Sequence, residues 1–373
     1  MSEWNQLPAI VKEYRIGRTL GKGSFAMVKY ALNTQDNETY AMKIFLIKEM
    51  ENSEKKKQFM REIESLVQLN HPGIVKVVEC FKDKLFVYVV MEYCIGDTLL
   101  TRISKESMLN DRFSKSIFKQ ILEVIAYIHG KGISHRDIKP ENIIMNENGS
   151  IKIIDFGFSR NTDSGELFST PCGSPVYAAP EIIMGAEYDG IKADMWSCGV
   201  LLYTIVTGDL PWKGSNVVKL QHQIMNPEIT FPPIITPSCK DLINQLIQKE
   251  PTKRLTAQEA LNHPWLESAS VKWDNRQKIK PMRNDKSLDS ILTNSDESES
   301  TSPRSQLMNL ELRHREPNSF GTRSPPPSLN GFSFSLSMRR PSMESKTRAR
   351  THSIDITKPS PITENDYRGK DRL

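Results

Sequence analysis

The sequence lacks features that define several classes of protein. No uninterrupted run of about 18 apolar residues occurs, which is the length that a transmembrane helix needs, so insertion into a membrane is not expected. The beginning of the chain has no basic segment followed by an apolar one, which argues against a secretory signal. Only five cysteines occur, with no C-x-x-C spacing, so neither a zinc knuckle nor a disulfide framework is indicated. These absences predict an intracellular protein, cytoplasmic in the first place and nuclear in the second.

An excess of charge of one sign is also missing. The chain has 50 Lys and Arg against 45 Asp and Glu, a formal net charge of +5. Proteins that bind nucleic acids or membrane surfaces usually carry a concentrated basic stripe, and a slight overall excess does not predict one. We therefore expect no nucleic-acid partner.

The composition of the chain changes near residue 267. Before it, apolar residues recur with almost continuous periodicity, whereas residues 281–373 contain 17 serines and 9 prolines in 93 residues. Such a segment cannot bury enough apolar surface to offset the entropy lost on ordering. The sequence predicts an ordered domain over residues 14–266 and a disordered tail, containing Ser, Pro and Arg, over residues 267–373.

Within the predicted domain, the type of secondary structure changes near residue 95. β-branched and aromatic residues between turn formers predict strands at 14–20, 26–33, 39–48, 75–82 and 85–93. One helix is predicted among them, at 53–69. Helical patterns dominate afterwards, at 114–130, 193–207, 217–225, 238–247 and 256–261. The fold class is therefore α+β, with a small antiparallel lobe plus one helix at about 14–94 and a larger, mainly helical lobe at about 95–266.

A glycine-rich stretch lies between the first two predicted strands. Gly21 and Gly23 would let the backbone come close to phosphate oxygens and present its N–H groups to them. Taken alone, Gly-x-Gly between strands is more often a hairpin turn than a nucleotide site. A dinucleotide-binding fold is disfavoured because a strand, and not a helix, follows this loop.

Lys43 is flanked by apolar residues in a predicted strand. A buried ammonium group needs an anion, and Glu62 on the predicted helix is a candidate because its neighbours Phe59 and Leu66 face inward. The alternative is that Lys43 reaches solvent and Glu62 is solvated.

Two further motifs carry the residue types that phosphoryl transfer needs. Asn142 ends the stretch that begins with His135-Arg136-Asp137, and Asp155-Phe156-Gly157 begins 13 residues later, after a strand-like segment. A strand, a turn and a second strand would bring Asn142 and Asp155 together, and their oxygens suit Mg²⁺. Asp137 is placed to accept a hydroxyl proton, and Lys139 to reach the γ-phosphate.

The ordered set of these motifs, followed by Ala179-Pro180-Glu181, resembles a eukaryotic protein kinase domain over residues 14–266. Lys139-Pro140-Glu141-Asn142 resembles the serine/threonine form of the catalytic loop. Residues 172–181 resemble the calcium/calmodulin-dependent group, particularly kinases related to AMP-activated protein kinase. The resemblance implies a bilobal kinase fold and transfer of the γ-phosphoryl of Mg-ATP to serine or threonine hydroxyls of protein substrates.

Two other functions fit the same fold. A non-catalytic pseudokinase or scaffold usually lacks the metal-binding or base residues, whereas Lys43, Asp137, Asn142 and Asp155 are all present. A kinase for a small molecule is disfavoured by the long segment that ends at Ala179-Pro180-Glu181, which favours a polypeptide substrate.

The resemblance implies a role for each matching residue. Catalytic roles fall to Asp137, Lys139, Lys43 and Glu62, and metal binding to Asn142 and Asp155. The implied ATP-binding residues, with Met91 as gatekeeper and the Glu92 to Cys94 backbone as hinge, are Leu20, Gly21, Lys22, Gly23, Ser24, Phe25, Ala26, Val28, Ala41, Lys43, Met91, Glu92, Cys94, Glu141, Asn142 and Ile144, with Ile154 nearby. Ala26 stands where the kinase pattern has a third glycine. The implied structural residues are Asp194, which braces the catalytic loop, and the pair Glu181 and Arg254.

Regulation by phosphorylation is also implied. A phosphate on Thr170 would face Arg136 and Arg160 and order the loop, with Ser169 as the nearer rival, whereas Ser174 is expected to hydrogen-bond Asp137 and Lys139. An upstream activating kinase and autophosphorylation both stay open.

Substrate and partner preferences rest on shorter patterns. Thr98 stands where many relatives have a glutamate that reads an upstream arginine, while Asp97 and Glu141 still predict some preference for basic substrates. In the tail, residues 339–342 and 348–353 resemble targets of basophilic kinases and docking sites for phosphoserine readers, or else a solvated basic linker. Residues 271–280 faintly resemble a calmodulin target helix.

Overall fold

The computed structural model describes residues 3–23, 26–106, 109–161, 167–168, 173–214 and 216–274. The small lobe is built on a sheet of six strands: β1 (Ile10–Val11), β2 (Tyr14–Lys22), β3 (Ala26–Asn33), β4 (Thr39–Leu46), β5 (Val77–Lys82) and β6 (Phe86–Glu92). The sheet is antiparallel, in the order β1-β2-β3-β4-β6-β5. Helix α1 (Ser53–Gln68) lies between β4 and β5 in the chain.

Both faces of this sheet are covered, which explains why β6 is buried at every residue. On the inner face, Phe59 of α1 packs against Phe45 of β4 with ring centroids 5.0 Å apart. On the outer face, an aromatic cluster that includes Tyr14 and Tyr88 forms a second core, and Trp4 packs on Phe86 at 5.6 Å. The sheet therefore extends the ordered small lobe to residues that precede the predicted boundary at residue 14.

The large lobe is mainly helical. Short strands carry the central loops: β7 (Asp97–Thr98), β8 (Ile133–Ser134), β9 (Ile143–Met145), β10 (Ile151–Ile153) and β11 (Arg160–Asn161). The helices are α2 (Leu99–Glu106), α3 (Asp111–His129), α4 (Pro180–Ile183), α5 (Gly190–Thr207), α6 (Val217–Met225), α7 (Pro237–Leu246) and α8 (Ala257–Leu261). Helices α3 and α5 pack together in the core, and α5 is buried on all sides. No helix in the described ranges has both the length and the apolar character needed to cross a membrane.

The α+β class and the two kinds of lobe are confirmed, whereas the bounds of several elements differ from the prediction and one helix is new. Strand β4 ends at Leu46 instead of residue 48, because residues 47–51 form a 3₁₀ helix. Helix α2 was not predicted. It begins directly after Thr98, whose hydroxyl accepts a hydrogen bond from the Thr101 amide at 3.1 Å and so starts the helix.

The prediction that disorder begins at residue 267 is wrong for residues 267–274. These residues pack on the large lobe: Ser116 Oγ donates to the Ser270 carbonyl at 2.7 Å, and Asn146 Nδ2 donates to Asp274 Oδ2 at 2.9 Å. The composition of the tail did not reveal these contacts, because they join residues more than a hundred positions apart. The predicted disorder of residues 275–373 lies outside the described residues.

Candidate active site

Lys43 lies in the middle of the small-lobe sheet, opposite Val28 of β3 and Val89 of β6. Its Nζ is 2.5 Å from Glu62 Oε1 and 3.1 Å from Asp155 Oδ1. Glu62 is only 2% exposed, so the alternative in which it is solvated is wrong. One ammonium group thus connects the small-lobe helix α1 to Asp155, which lies two residues after the end of β10 in the large lobe.

The charges of this trio shift each other's pKa. Burial by itself lowers the pKa of Lys43, but the carboxylates of Glu62 and Asp155 outweigh it and hold that pKa above its usual value. Lys43 in turn lowers the pKa of Asp155, against an opposing effect of burial. Lys43 is therefore a cation and Asp155 an anion at neutral pH.

The Asp137 carboxylate is held by donors on both of its oxygens. Lys139 Nζ (2.7 Å) and Asn142 Nδ2 (2.9 Å) donate to Oδ2, and the Ser174 amide (3.1 Å) donates to Oδ1. Lys139 Nζ also lies 3.0 Å from Ser174 Oγ. The side chain is thereby fixed in orientation, and the expected contacts of Ser174 with Asp137 and Lys139 are present.

Asn142 and Asp155 are brought side by side by a short hairpin. Strands β9 and β10 pair antiparallel with Ile143 opposite Ile153, and the Ile154 amide donates to the Asn142 carbonyl at 2.9 Å. Asp155 has φ 63°, a left-handed conformation that is uncommon without glycine and that costs about 1–3 kcal/mol. Its ion pair with Lys43 holds the carboxylate in this conformation.

The Asn142 and Asp155 side chains also fit a divalent cation. The Asn142 amide nitrogen donates to both the carbonyl and the carboxylate of Asp137, which leaves the amide oxygen as an acceptor. In the described part of the chain, no group of three or more His, Cys, Asp or Glu side chains is able to hold a metal ion. A hard divalent cation in a nucleotide site takes one or two protein oxygens and completes its octahedron with phosphate and water, so the oxygens of Asn142 and Asp155 are of the right type and number.

The backbone of the loop that carries Asp137 is held by Asp194, which is 1% exposed. Its two oxygens accept from the amides of His135 and Arg136, each at 2.7 Å, and one oxygen also lies 3.0 Å from His129 Nε2. Arg136 has φ 67°, so the loop is strained directly before Asp137. The buried carboxylate of Asp194 offsets this strain and fixes the backbone that carries Asp137.

The second expected structural pair is also formed. Arg254 donates to both oxygens of Glu181, at 2.6 and 2.7 Å, in a buried bidentate ion pair. It joins the segment after Ala179-Pro180 to the turn between α7 and α8.

The apolar residues expected around an adenine ring come from both lobes. Each is partly exposed: Leu20 of β2, Val28 of β3, Ala41 of β4, Ile144 of β9 and the following Ile154. Met91 pairs with Ala41 in the sheet. Glu92 is buried, and its carboxylate binds Lys152 Nζ at 2.8 Å, so only its backbone is left for a hinge contact. Cys94 is partly buried, and Glu141 is exposed beside the catalytic loop.

The glycine-rich turn continues the β2–β3 hairpin. Gly21 and Lys22 pair with Val28 and Met27, and the Gly23 amide donates to the Ala26 carbonyl at 2.8 Å. Ala26 is buried in the regular part of β3, so the third position of the motif here belongs to a strand. The predicted ATP contacts of Ser24 and Phe25 lie outside the described residues.

The cations expected to receive a phosphate meet at Phe168. The Arg136 guanidinium lies 4.6 Å from the Phe168 ring centroid and that of Arg160 lies 5.3 Å from it. Arg136 also donates to the Tyr188 hydroxyl. Thr170, like its rival Ser169, lies outside the described residues.

Two carboxylates were expected to read a basic substrate: Glu141 is exposed, whereas Asp97 is already paired. Asp97 binds Lys105 Nζ at 2.7 Å, and Thr98 hydrogen-bonds Thr101 within α2. A further contact near the site was not predicted. Gln58, one helical turn before Glu62 on the same face of α1, donates to the Gly157 carbonyl at 2.9 Å, and an i, i+4 comparison along the helix would have found it.

The model of the protein kinase domain family matches residues 14–266, so the chain belongs to the protein kinase family. This family defines the bilobal fold, which is confirmed, and its members use ATP with a divalent metal ion.

The chain is similar to several curated plant kinases. CBL-interacting serine/threonine-protein kinase 26 of Arabidopsis thaliana is 36% identical over 258 residues, which cover 68% of this chain and 59% of that protein. CBL-interacting serine/threonine-protein kinase 3 of the same plant is 34% identical over 295 residues (78% and 66%). CBL-interacting protein kinase 1 of Oryza sativa subsp. japonica is 36% identical over 262 residues (69% and 57%). The chain thus spans 57–66% of the length of these relatives.

Proposed function

We propose that this chain is a protein-serine/threonine kinase that transfers the γ-phosphoryl group of Mg-ATP to serine or threonine hydroxyls of protein substrates. The observation that carries the proposal is the trio in which Lys43 contacts Glu62 and Asp155 at once. The trio forms only when the two lobes are placed so that Lys43 and Glu62 of the small lobe reach Asp155 of the large lobe. Kinases transfer phosphate only when the lysine–glutamate pair and the metal-binding aspartate are both in place.

The phosphate end of the nucleotide would lie between Lys43 and the Asn142–Asp155 pair. Lys43 would hold the phosphates as a permanent cation, while the Asn142 amide oxygen and the Asp155 carboxylate would hold Mg²⁺. The metal ion supplies neutralisation of the charge that develops on the transferred group. The protein needs to add little covalent chemistry beyond this positioning.

Asp137 would take the proton of the substrate hydroxyl. Three donors, from Lys139, Asn142 and Ser174, hold its carboxylate in one orientation, so an incoming hydroxyl meets a fixed acceptor. Lys139 lies between Asp137 and Ser174, where its charge would stabilise the phosphoryl group during transfer. Asp194 holds the loop backbone and does not touch the reacting atoms.

A pseudokinase scaffold is the second candidate, and the geometry argues against it. A scaffold does not need a base that is oriented by three donors, nor a strained Asp155 that is paired across the lobes. The left-handed backbone of Asp155 costs free energy, and phosphoryl transfer would give both features a function.

Finer features of the proposal rest on the sequence. Residues 172–181 support a place among the AMP-activated-protein-kinase-related members of the calcium/calmodulin-dependent group. Activation by a phosphate on Thr170, by an upstream kinase or by the protein itself, is supported by the two arginines that meet at the neighbouring Phe168. Phosphoserine readers on the tail and an intracellular site of action are further proposals from the sequence.

The relatives also suggest a partner. Their names state that they interact with CBL, so we propose a comparable binding partner for this chain. Its test is co-purification of CBL proteins with the full chain, and no enrichment over an unrelated kinase would remove the proposal.

The test of the activity uses the purified full chain, labelled ATP, Mg²⁺ and a degenerate peptide library. We expect label in serine- and threonine-containing peptides, no label after chelation of the metal, and none with Asp155→Ala, which removes a metal ligand. Lys253→Ala, an exposed change outside the cleft, is the matched control and should keep full activity. Because Asp97 is paired with Lys105, we expect at most a weak enrichment of basic residues upstream of the acceptor. Absence of label with the wild-type chain would refute the kinase proposal.

A further inference from the structure

The segment that follows the kinase domain returns along the large lobe to the small lobe. Residues 269–273 lie along one face of α3, at positions 116, 119 and 123, which recur at helical spacing. Three hydrogen bonds hold the segment there: Ser116 Oγ to the Ser270 carbonyl (2.7 Å), Lys119 Nζ to the Ala269 carbonyl (3.3 Å), and Trp273 Nε1 to Glu123 Oε2 (3.2 Å). A fourth bond, from the Asp274 amide to Ser150 Oγ at 3.0 Å, fixes its end.

The Trp273 ring fits closely against the turn that joins α1 to β5. It packs edge-on against His71, with centroids 5.0 Å apart and an interplanar angle of 90°, and His71 in turn lies 5.1 Å from Tyr127 of α3. A Cβ atom added at Gly73 would lie 2.6 Å from two atoms of the Trp273 ring and 2.5 Å from Val124 Cγ2. Only glycine at this position leaves room for the indole.

This turn is bonded to the strand that carries Asp155. The Ile153 amide donates to the Gly73 carbonyl at 2.8 Å, and the Val75 amide donates to the Ile153 carbonyl at 3.1 Å. Ile153 ends β10, two residues before Asp155. A shift of the turn therefore acts on the metal-binding aspartate through two hydrogen bonds.

The same turn ends the helix that carries Glu62. Leu69 is buried at the end of α1, and the Asn70 amide donates to the Tyr127 hydroxyl of α3 at 2.9 Å. The position of α1, and hence of Glu62 against Lys43, is set at this end by contacts with the large lobe. Trp273 packs against the same turn, at His71 and Gly73.

We propose that Trp273 is a positioning residue: it clamps the α1–β5 turn onto α3 and so holds Glu62 and Asp155 at the two sides of Lys43. It acts through His71 and Gly73 and does not contact the reacting groups. The activity readout of this proposal rests on the proposed kinase function, whereas its structural readouts do not. One consequence follows for residues 271–280: a calmodulin-like partner that needs the indole as an anchor must first remove it from this site.

The test compares four variants of the full chain. Trp273→Ala removes the clamp, Gly73→Ala obstructs it from the turn, and Trp273→Phe keeps a ring but loses the bond to Glu123. Trp4→Ala is the matched control, because Trp4 is also a partly buried tryptophan outside residues 14–266 but packs on Phe86 on the outer face of the small lobe. Each variant is examined by amide hydrogen exchange, by binding of a fluorescent ATP analogue, and by kcat and KM for ATP.

We expect Trp273→Ala and Gly73→Ala to speed hydrogen exchange at residues 69–75 and in α1 by about tenfold, and to lower kcat/KM for ATP by about tenfold, the range of an energetic coupling between distant sites. The exchange rates and the kcat/KM of Trp273→Phe should lie between those of these two variants and those of the wild type. Trp4→Ala should leave exchange at these residues and kcat/KM unchanged.

Unchanged exchange in α1 in the Trp273 variants would overturn the clamp, as would an equal effect of Trp4→Ala. If Trp273→Ala does not fold, Trp273→Phe and Gly73→Ala decide in the same way. If the wild-type chain transfers no phosphate, the kinase proposal fails, and exchange together with nucleotide binding still decides the clamp.

Discussion

Replacing Arg254 by alanine removes a buried cation with several partners. The side chain is 2% exposed and its guanidinium donates to both oxygens of Glu181, to the Gln248 carbonyl at 2.7 Å and to the Lys192 carbonyl at 2.9 Å. It also lies over the Trp196 ring, 5.1 Å from the centroid.

The expected loss follows from what the truncation leaves behind. The Glu181 carboxylate would remain buried without its cation, and removing one partner of a buried ion pair costs about 3–5 kcal/mol of the free energy of unfolding. The Gln248 and Lys192 carbonyls would also lose their donor. This loss is not added separately, because the range given for removing one partner of a buried ion pair already includes the hydrogen bonds of that partner. For a domain of this size each kcal/mol lowers Tm by about 2–4 °C, so Arg254→Ala should lower Tm by roughly 10 °C.

The assay is urea and thermal unfolding of the full chain, followed by circular dichroism. Lys253→Ala is the matched control: the neighbouring Lys253 is 66% exposed and pairs with Glu250 on the surface, so its loss should leave the unfolding midpoints close to those of the wild type. A double change of Glu181 and Arg254 to methionine should cost less than Arg254→Ala, since no charge is left unpaired. Equal unfolding midpoints for Arg254→Ala and Lys253→Ala would refute the reasoning.

Four further outcomes are expected. Lys43→Met should lower kcat by about 100-fold or more, because a fixed cation at the phosphates is lost, as steady-state kinetics will measure. Thr170→Ala should lower activity by about tenfold or more relative to phosphorylated wild type, since the proposed phosphate would pair with Arg136 and Arg160 and the variant cannot carry it. Asp194→Asn should lower kcat and speed hydrogen exchange at residues 135–136, because their amides lose a charged acceptor. Lys43 lowers the pKa of Asp155, so ionised Asp155 stabilises the fold above its unfolded pKa of about 3.9, and this stability is lost as the pH falls through the folded value. The difference in urea midpoint between wild type and Asp155→Asn should therefore shrink in acid, and a constant difference would contradict the ion pair.

The sequence predicted those parts of the fold that local patterns determine. Helix α1 runs from Ser53 to Gln68, within one residue of the expected bounds, because its apolar spacing is regular and Asn52 caps its first turn. Helix α2 was not predicted, because it is short and begins directly after the two-residue strand β7. The docking of residues 267–274 includes the contact of Trp273 with His71, which lies about two hundred residues earlier in the chain. The local composition of a segment does not indicate such a distant contact.

The site was predictable to the extent that its residues lie in ordered motifs. Lys43, Glu62 and Asp155 meet as their motif order implied. The pair of Glu92 with Lys152 was not foreseen, since each residue alone looks like a solvated charge and only the fold brings them within 2.8 Å. The Asp97–Lys105 pair has the same origin.

The most direct measurement is a single-turnover experiment in which labelled ATP and a serine- or threonine-containing protein are mixed with excess full-length enzyme, in wild-type form and as Asp137→Asn. We expect labelled phosphoserine or phosphothreonine from the wild type and a rate lower by about 100- to 10,000-fold from the variant, with ATP still bound, because only the proton acceptor has been removed. Equal rates from the two proteins, or nucleotide binding without any transfer by the wild type, would contradict the assignment of this cleft as a phosphoryl-transfer centre.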